Sequence, residues 1–288
     1  YYAGEPFLGQ PTRIFAWYAQ PAGDGPFPAM VLVHGGGGKA FRDWALHWAN
    51  RGYAAIAMDL AGHGPAGRLP DGGPDQSDET KFKDFTGDAV KDMWSYHAVA
   101  AVIRGHSLLA AQPAVDRNRI GLTGISWGGY LTCLVASLDD RLKVAVPVYG
   151  CGFLYHNSVW LPTFEKLPSA WRKEWVQNFD PSHYAGRAKM PVLFVKGTND
   201  FAYPLGSYQK TYRLVKDHQL CVTVNMPHGH PQGWAPQEIG LFIDQHVRGG
   251  EPLPRPEPGD LLAQLRQPLD HGVGHGAGAL LGEGGAGG

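Results

Sequence analysis

The sequence predicts an α/β protein, a mostly parallel, doubly wound sheet with helices on both faces. Three observations predict it. Residues 29–33, 53–58, 143–148 and 191–196 are apolar at nearly every position, as in strands covered on both faces rather than one. Segments with helical spacing separate these runs, and strand–helix alternation implies parallel strands joined by right-handed crossovers. The 288 residues are 43% hydrophobic and 18% charged, ample for one large core.

Residues 13–18 alternate in polarity and read as an edge strand. The first core strand, 29–33, ends in His34-Gly35-Gly36-Gly37-Gly38. Residues 41–51 read as a helix stopped by Gly52, and 53–58 as a buried strand ending at Asp59. A polar, Gly- and Pro-rich loop is expected from 61 to about 83. A long helix is expected over 87–112, with Val90, Met93, Trp94, His97 and Ala101 at helical spacing. Residues 119–123 form a short strand and 130–136 lie in a buried helix. After the 143–148 strand, residues 149–189 read as irregular and aromatic. The 191–196 strand ends in Gly197-Thr198-Asn199-Asp200. A helix follows over 204–217, with Pro204 in its first turn, where its missing N–H costs nothing. A strand at 221–225 precedes Pro227-His228-Gly229-His230, and a last helix runs over 232–247. No internal repeat is evident. One α/β domain is therefore expected over 1–250. Residues 251–288 change character: 251–258 is proline-rich and the last 18 residues contain nine glycines, too little apolar surface to offset ordering entropy. They read as a loosely attached tail with a short helix near 261–265.

The net charge of −1, with no basic stripe, argues against nucleic acid or an anionic membrane surface as partner. No apolar run is long enough to span a bilayer. Cys133, Cys151 and Cys221 are odd in number and far apart, and read as apolar fillers rather than a disulfide or zinc framework. The chain begins at Tyr1 rather than Met, which reads as processing and leaves a secreted or periplasmic location open.

Gly124-Ile125-Ser126-Trp127-Gly128 reads G-x-S-x-G, in which a serine sits on a sharp turn between strand and helix. The flanking segments have the strand and helix character that this turn requires. An alcohol is a poor nucleophile at neutral pH and needs a base for its proton and donors for the developing oxyanion. Candidates lie after later strands: Asp200, 74 residues on, and His228, 28 residues beyond that. Ser126 would be the nucleophile, His228 the general base and then acid, and Asp200 the group that fixes the imidazole tautomer. His230 is the rival for the histidine role; His228 comes first after the strand and precedes a glycine. A His228/His230 metal site finds no carboxylate or cysteine cluster in the motif. The oxyanion hole is expected from the backbone N–H of Trp127 and one from the glycine loop, Gly36 or Gly37. A phosphate-cradling reading of that loop lacks both a Gly-Lys-Ser/Thr ending and G-x-G-x-x-G spacing. No metal or organic cofactor is required.

At these residues the chain resembles the α/β-hydrolase superfamily, and within it the branch of prolyl oligopeptidase-type domains, acetyl xylan esterases and dienelactone hydrolases. The matching segments are 31–36, 59–64, 119–129, 191–200 and 228–230, spread over about 29–248. The resemblance implies the α/β-hydrolase fold and a Ser126–His228–Asp200 triad, and says less about substrate. Fewer than 30 residues precede the first core strand, which leaves no room here for the propeller usual in the peptidase members. Dienelactone hydrolases carry cysteine at the elbow, and haloalkane dehalogenases and epoxide hydrolases aspartate, where this chain has Ser126. A carboxylic ester hydrolase acting on short-chain, acetyl-type esters is the expected function, with carbohydrate esters among the substrates; a stand-alone serine peptidase or amidase is the alternative.

Residues 151–184 are expected to cover the site as a cap-like insert. Its rings, among them Trp160 and Trp171, would either stack on sugar or aromatic acyl groups or pack the insert onto the body. Trp127, beside the nucleophile, is expected to line the pocket, and residues 62–78 to form a rim.

Overall fold

The computed structural model describes residues 1–254; the expected tail helix near 261–265 and nearly all of the tail lie outside them. Tyr1–Leu253 form one unit. Its centre is a seven-stranded sheet, numbered here along the chain: β1 (Ala16–Ala19), β2 (Phe27–Val33), β3 (Ala54–Met58), β4 (Val115–Ile125), β5 (Val144–Val148), β6 (Val192–Asn199) and β7 (His218–Pro227). The spatial order is β7-β6-β5-β4-β2-β3-β1. Every pairing is parallel except that of β1 with β3.

Strands β3 and β5 are buried at every position, and β2 at all but its first. Such strands must be covered on both faces. Helices α1 (Arg42–Asn50) and α9 (Gln237–Arg248) form one layer, tied by Arg51 Nη2 to Asp244 Oδ2 at 2.7 Å. Helices α3 (Trp94–Ala110) and α4 (Trp127–Leu138) form the other. Chain order and spatial order diverge between β2 and β4: from β2 the chain moves out through β3, and from β4 it moves the other way through β5, β6 and β7. A crevice forms at the carboxyl ends of strands where such a reversal occurs. The glycine loop after β2 and the elbow after β4 both follow the carboxyl ends of the two strands that flank this reversal.

Several expectations are corrected. The 87–112 helix is two pieces: Gly87–Asp92 is a 3-10 turn, and Met93, with extended backbone, precedes α3. The last helix divides at Pro236 into α8 (His230–Trp234) and α9, because proline cannot continue the hydrogen-bond ladder. Helix α7 is Leu205–Tyr212, shorter than 204–217, and Pro204 is its N-cap. The edge segment divides, Arg13–Ile14 pairing with Tyr2–Ala3 while β1 joins the main sheet. Residues 149–189 contain two α-helices, α5 (Leu161–Lys166) and α6 (Ser169–Phe179). The polar loop carries α2 (Asp78–Phe82) and a small ladder between His63–Gly64 and Gly67–Arg68. The Arg68 guanidinium holds that loop through the carbonyls of Ala61, Gly72 and Gly73. Cys133 and Cys151 are buried and Cys221 half-buried, all as free thiols. Among the described residues no helix is long and apolar enough to cross a membrane.

Candidate active site

The elbow is built by backbone crowding. Ser126 sits at φ 61°, ψ −119° between β4 and α4, a conformation costing about 1–3 kcal/mol for a residue with a side chain. Surrounding hydrogen bonds over-determine it: Ser126 N–H donates to Val148 O at 2.9 Å, and Ser126 O accepts from Tyr130 N–H at 2.9 Å. The turn packs so tightly on β2 that a Cβ at Gly128 would run into the Val33 carbonyl. The serine hydroxyl is thereby presented at the carboxyl end of β4.

His228 Nε2 lies 2.8 Å from Ser126 Oγ, and its Nδ1 2.8 Å from Asp200 Oδ1. Three segments bring these groups together: the elbow, the loop after β6 and the turn after β7. The imidazole is held between rings, with centroids of Tyr149 at 4.5 Å, Phe201 at 5.1 Å and Tyr203 at 6.1 Å. The Asp200 carboxylate is fully buried and accepts from the backbone N–H groups of Ala202 and Tyr203. Burial alone would raise its pKa. The hydrogen bond from His228 and the charge and hydrogen bond of Lys196 outweigh that, and the carboxyl titrates below its ordinary range. Lys196, near the end of β6 and 3% exposed, gives its ammonium to Asp200 Oδ2 at 2.5 Å and to the Tyr203 carbonyl.

The structure separates the two histidines. His230 is hydrogen-bonded to neither Asp200 nor Ser126 among the described residues; its Nε2 accepts the Gly35 N–H at 2.9 Å, and its ring packs on Phe41. The Gly35 N–H is therefore committed to holding the loop. The adjoining His34 Nδ1–H donates to Gly35 O, and its Nε2 accepts from Leu60 N–H. Gly38 N–H closes the turn onto Gly35 O. Gly36 lies against Trp127, whose ring a Cβ at Gly36 would touch at 3.0 Å, whereas Gly37, at φ +66°, is the turn's tip with open space beside its α-carbon. The Gly36 N–H has no acceptor among the described residues. The Trp127 N–H, in the first turn of α4, has none within its helix.

His230 must stay neutral to accept from Gly35. Burial, then the neighbouring His34 and His228, push its pKa down to about 4 from 6.5. With the folded value below the unfolded one, this contribution is fully present above pH 6.5 and is lost as pH falls towards 4. After discounting for partial exposure it amounts to about 2 kcal/mol. Urea midpoints are expected to fall between pH 7.5 and 4.5, with a shallower fall in His230→Gln; equal falls in both proteins would remove this role.

The expected substrate-contacting rings fare differently. Trp127 is 2% exposed, and its ring sits among Phe82, Trp94, Tyr130 and Trp160, with the Lys81 ammonium 4.7 Å from its centroid. It is a core ring beside the site rather than a lining of an open pocket. Trp160 is half-buried and bridges Trp127, at 4.5 Å, and Tyr203, at 5.1 Å. Trp171 is 40% exposed on α6 and meets none of these rings. Of the insert's rings, Phe164, Trp175 and Phe179 are buried, Tyr155, Trp160 and Tyr184 pack partly buried against the core, and Trp175 Nε1–H donates to Lys81 O at 2.7 Å.

Sequence reasoning missed Lys196, His230 as a loop support, and Tyr203. A lysine inside an otherwise apolar strand, four residues before Asp200, was the available signal for the first. Nothing local marks the other two.

Comparison with known proteins agrees with this architecture. The acetyl xylan esterase (AXE1) family profile matches residues 7–160, more than half of the chain; the match includes the glycine loop and Ser126 and ends before Asp200 and His228. The acetyl esterase Axe7A of Xylanibacter ruminicola is 24% identical over 214 residues, covering 66% of this chain and 46% of that protein. A putative carboxymethylenebutenolidase of Methylorubrum extorquens is 25% identical over 200 residues, covering 68% of this chain and 60% of that protein. The chain thus spans about half the length of these curated relatives. Among solved structures, the acetyl xylan esterase from Paenibacillus sp. R4 superposes with a TM-score of 0.67 at 23% identity, over 82% of this chain and 81% of that one. The acylaminoacyl peptidase of Pyrococcus horikoshii gives 0.66 at 20% identity, over 88% of this chain and 42% of that one. These structural likenesses show a shared α/β-hydrolase fold. By the family match, the chain belongs to the acetyl xylan esterase family.

Proposed function

We propose that this protein is a serine carboxylic ester hydrolase acting on short-chain acyl esters, acetyl esters of carbohydrates among them. The observation that carries the reading is the continuous relay Ser126–His228–Asp200, 2.8 Å at each link, at the carboxyl ends of the strands where strand order reverses. Membership of the acetyl xylan esterase family supports the acyl preference.

Ser126 Oγ attacks the ester carbonyl while His228 Nε2 takes its proton. Asp200 keeps the Nδ1–H tautomer in place and stabilises the imidazolium. The Trp127 and Gly36 N–H groups receive the carbonyl oxygen as it becomes an anion; Gly36 is preferred to Gly37 because it borders Trp127. The C–O bond to the alcohol breaks, and the alcohol leaves with the proton from His228. Water, deprotonated by His228, then hydrolyses the acyl-enzyme.

A p-nitrophenyl series from acetate to octanoate, with acetylated xylan and proline-containing peptide amides in parallel, tests the substrate. The highest kcat/KM is expected at acetate, with acetate released from xylan. A maximum at octanoate would overturn the short-chain preference, and turnover of the amides above that of acetyl esters would make the protein an amidase.

A further inference from the structure

Tyr203 is fully buried, yet its hydroxyl takes no hydrogen bond among the described residues. A buried phenol usually finds a partner, because leaving it without one costs about 1–3 kcal/mol. The ring is held on every side. It stacks on the His228 ring at 14°, it packs on Trp160, its N–H donates to Asp200 Oδ1, and its carbonyl accepts from Lys196. The residue that supports both the acid and the base therefore has a fixed ring and an idle donor. Its ring shares a neighbour with the Ser126 hydroxyl: the His228 imidazole on which it stacks lies, through Nε2, 2.8 Å from Ser126 Oγ. Burial raises the phenol's pKa well above its ordinary value, nearby Cys151 and Asp200 raise it further, and the Ser126 hydroxyl draws it back. The group stays protonated, so it is a donor at every working pH.

We propose that Tyr203 is a further catalytic residue, whose O–H donates a hydrogen bond to Ser126 Oγ when that oxygen becomes the leaving group in deacylation. This rests on the serine-esterase reading above. In that step water attacks the acyl carbon and gives a proton to His228 Nε2. The tetrahedral intermediate collapses as the C–Oγ bond breaks, its electron pair going to Oγ. His228 Nε2 returns the proton to Oγ, and the carboxylic acid departs. Tyr203 keeps its own proton throughout; its hydrogen bond stabilises negative charge on Oγ before the proton from His228 arrives. In acylation the same oxygen is the attacking group, and a donor there gives no comparable gain. The residue therefore acts on one half of the cycle.

The test is Tyr203→Phe, which keeps the ring stacked on His228 and removes only the hydroxyl. With p-nitrophenyl acetate, kcat/KM reports acylation, and kcat reports deacylation, which limits turnover of so activated an ester. We expect kcat to fall roughly tenfold, the effect of one hydrogen bond of about 1.4 kcal/mol, and kcat/KM to fall less than about threefold. Acetyl-enzyme should accumulate on Ser126, detectable by mass spectrometry of the quenched reaction. The melting temperature should hold or rise, because a buried group without a partner has been removed. A protein carrying 3-fluorotyrosine at position 203, which keeps the hydroxyl, should keep the wild-type kcat. An unchanged kcat in Tyr203→Phe, or equal falls in kcat and kcat/KM, would overturn the assignment. Loss of kcat in the fluorotyrosine protein would do so as well. Wild-type rates surviving in Ser126→Ala would instead remove the serine-esterase reading beneath it.

Discussion

Ser126→Ala is expected to lower kcat/KM for p-nitrophenyl acetate by about 10⁴-fold or more, with little change in melting temperature. The magnitude follows from what the substitution leaves behind. The donors at Trp127 and Gly36 and the shape of the crevice survive, so water attack retains the acceleration that binding and oxyanion stabilisation supply. The covalent route is gone. The backbone need not move, because an alanine at φ 61° carries the same strain as the serine, and the hydrogen bonds from Ser126 N–H and to its carbonyl involve main chain alone. Asp200→Asn should approach the same loss by another cause. An amide can offer its N–H to Nδ1 and so favour the tautomer whose Nε2–H cannot take the serine proton. Because the three groups act as one unit, Ser126→Ala/His228→Ala should be hardly slower than Ser126→Ala alone. Steady-state rates on the three variants, with fluorophosphonate labelling of the folded proteins, measure this. Ser126→Ala retaining a tenth of wild-type activity would sink the nucleophile assignment.

The placement of these three residues was legible for a physical reason. Each follows a segment of strand length and β character, and in a doubly wound sheet parallel strands deliver their following residues to one edge, whatever the loops between them do. The glycines at 124 and 128 were legible for a related reason: backbone packed on backbone excludes a Cβ, and that demand is written as residue type. Contacts formed across the fold left no such mark. Residues 169–179 place Trp175, Val176 and Phe179 on the buried side, too few turns of pattern to outweigh the polar residues around them. The break at Met93 is similar, since 87–101 keeps helical spacing across it and the break depends on tertiary packing. Trp171 and Trp175 are indistinguishable as letters in an aromatic segment, yet one is 40% exposed and the other 1%. His228 and His230 differ by two positions: the first, before the helix, meets Ser126, and the second, at the first position of α8, meets Gly35. Tyr203 reads as an ordinary turn residue until Asp200, His228 and Ser126 are assembled around it.

Lys196→Met should lower stability and move the acid limb of the activity profile together. The ammonium is 3% exposed and its partner carboxylate is fully buried. Each ion loses hydration on folding and is compensated through the other, through the His228 Nδ1–H and the backbone donors on Asp200, and through the Tyr203 carbonyl. Removing one partner leaves the other charge without its counterion, at a cost of about 3–5 kcal/mol. For a domain of this size that corresponds to a melting temperature lower by roughly 6–15 °C. The same change acts on chemistry through Asp200. Burial pushes that carboxyl up, the His228 hydrogen bond pulls it down, and Lys196 is the other large lowering influence. Its folded-state pKa is depressed, so the carboxylate contributes stability above its unfolded value of 3.8 and loses it as pH falls below. Without Lys196 the depression shrinks or reverses, Asp200 protonates at higher pH, and the acid limb of kcat/KM should shift upwards. Lys196→Met/Asp200→Asn discriminates between causes: with the buried carboxylate also neutralised, part of the lost stability should return while activity stays low. Thermal unfolding at pH 7.5 and kcat/KM from pH 4.5 to 8 read both effects. A variant that melts like wild type, or one that loses stability with no movement of the acid limb, would show that the ammonium does not control the ionisation of Asp200.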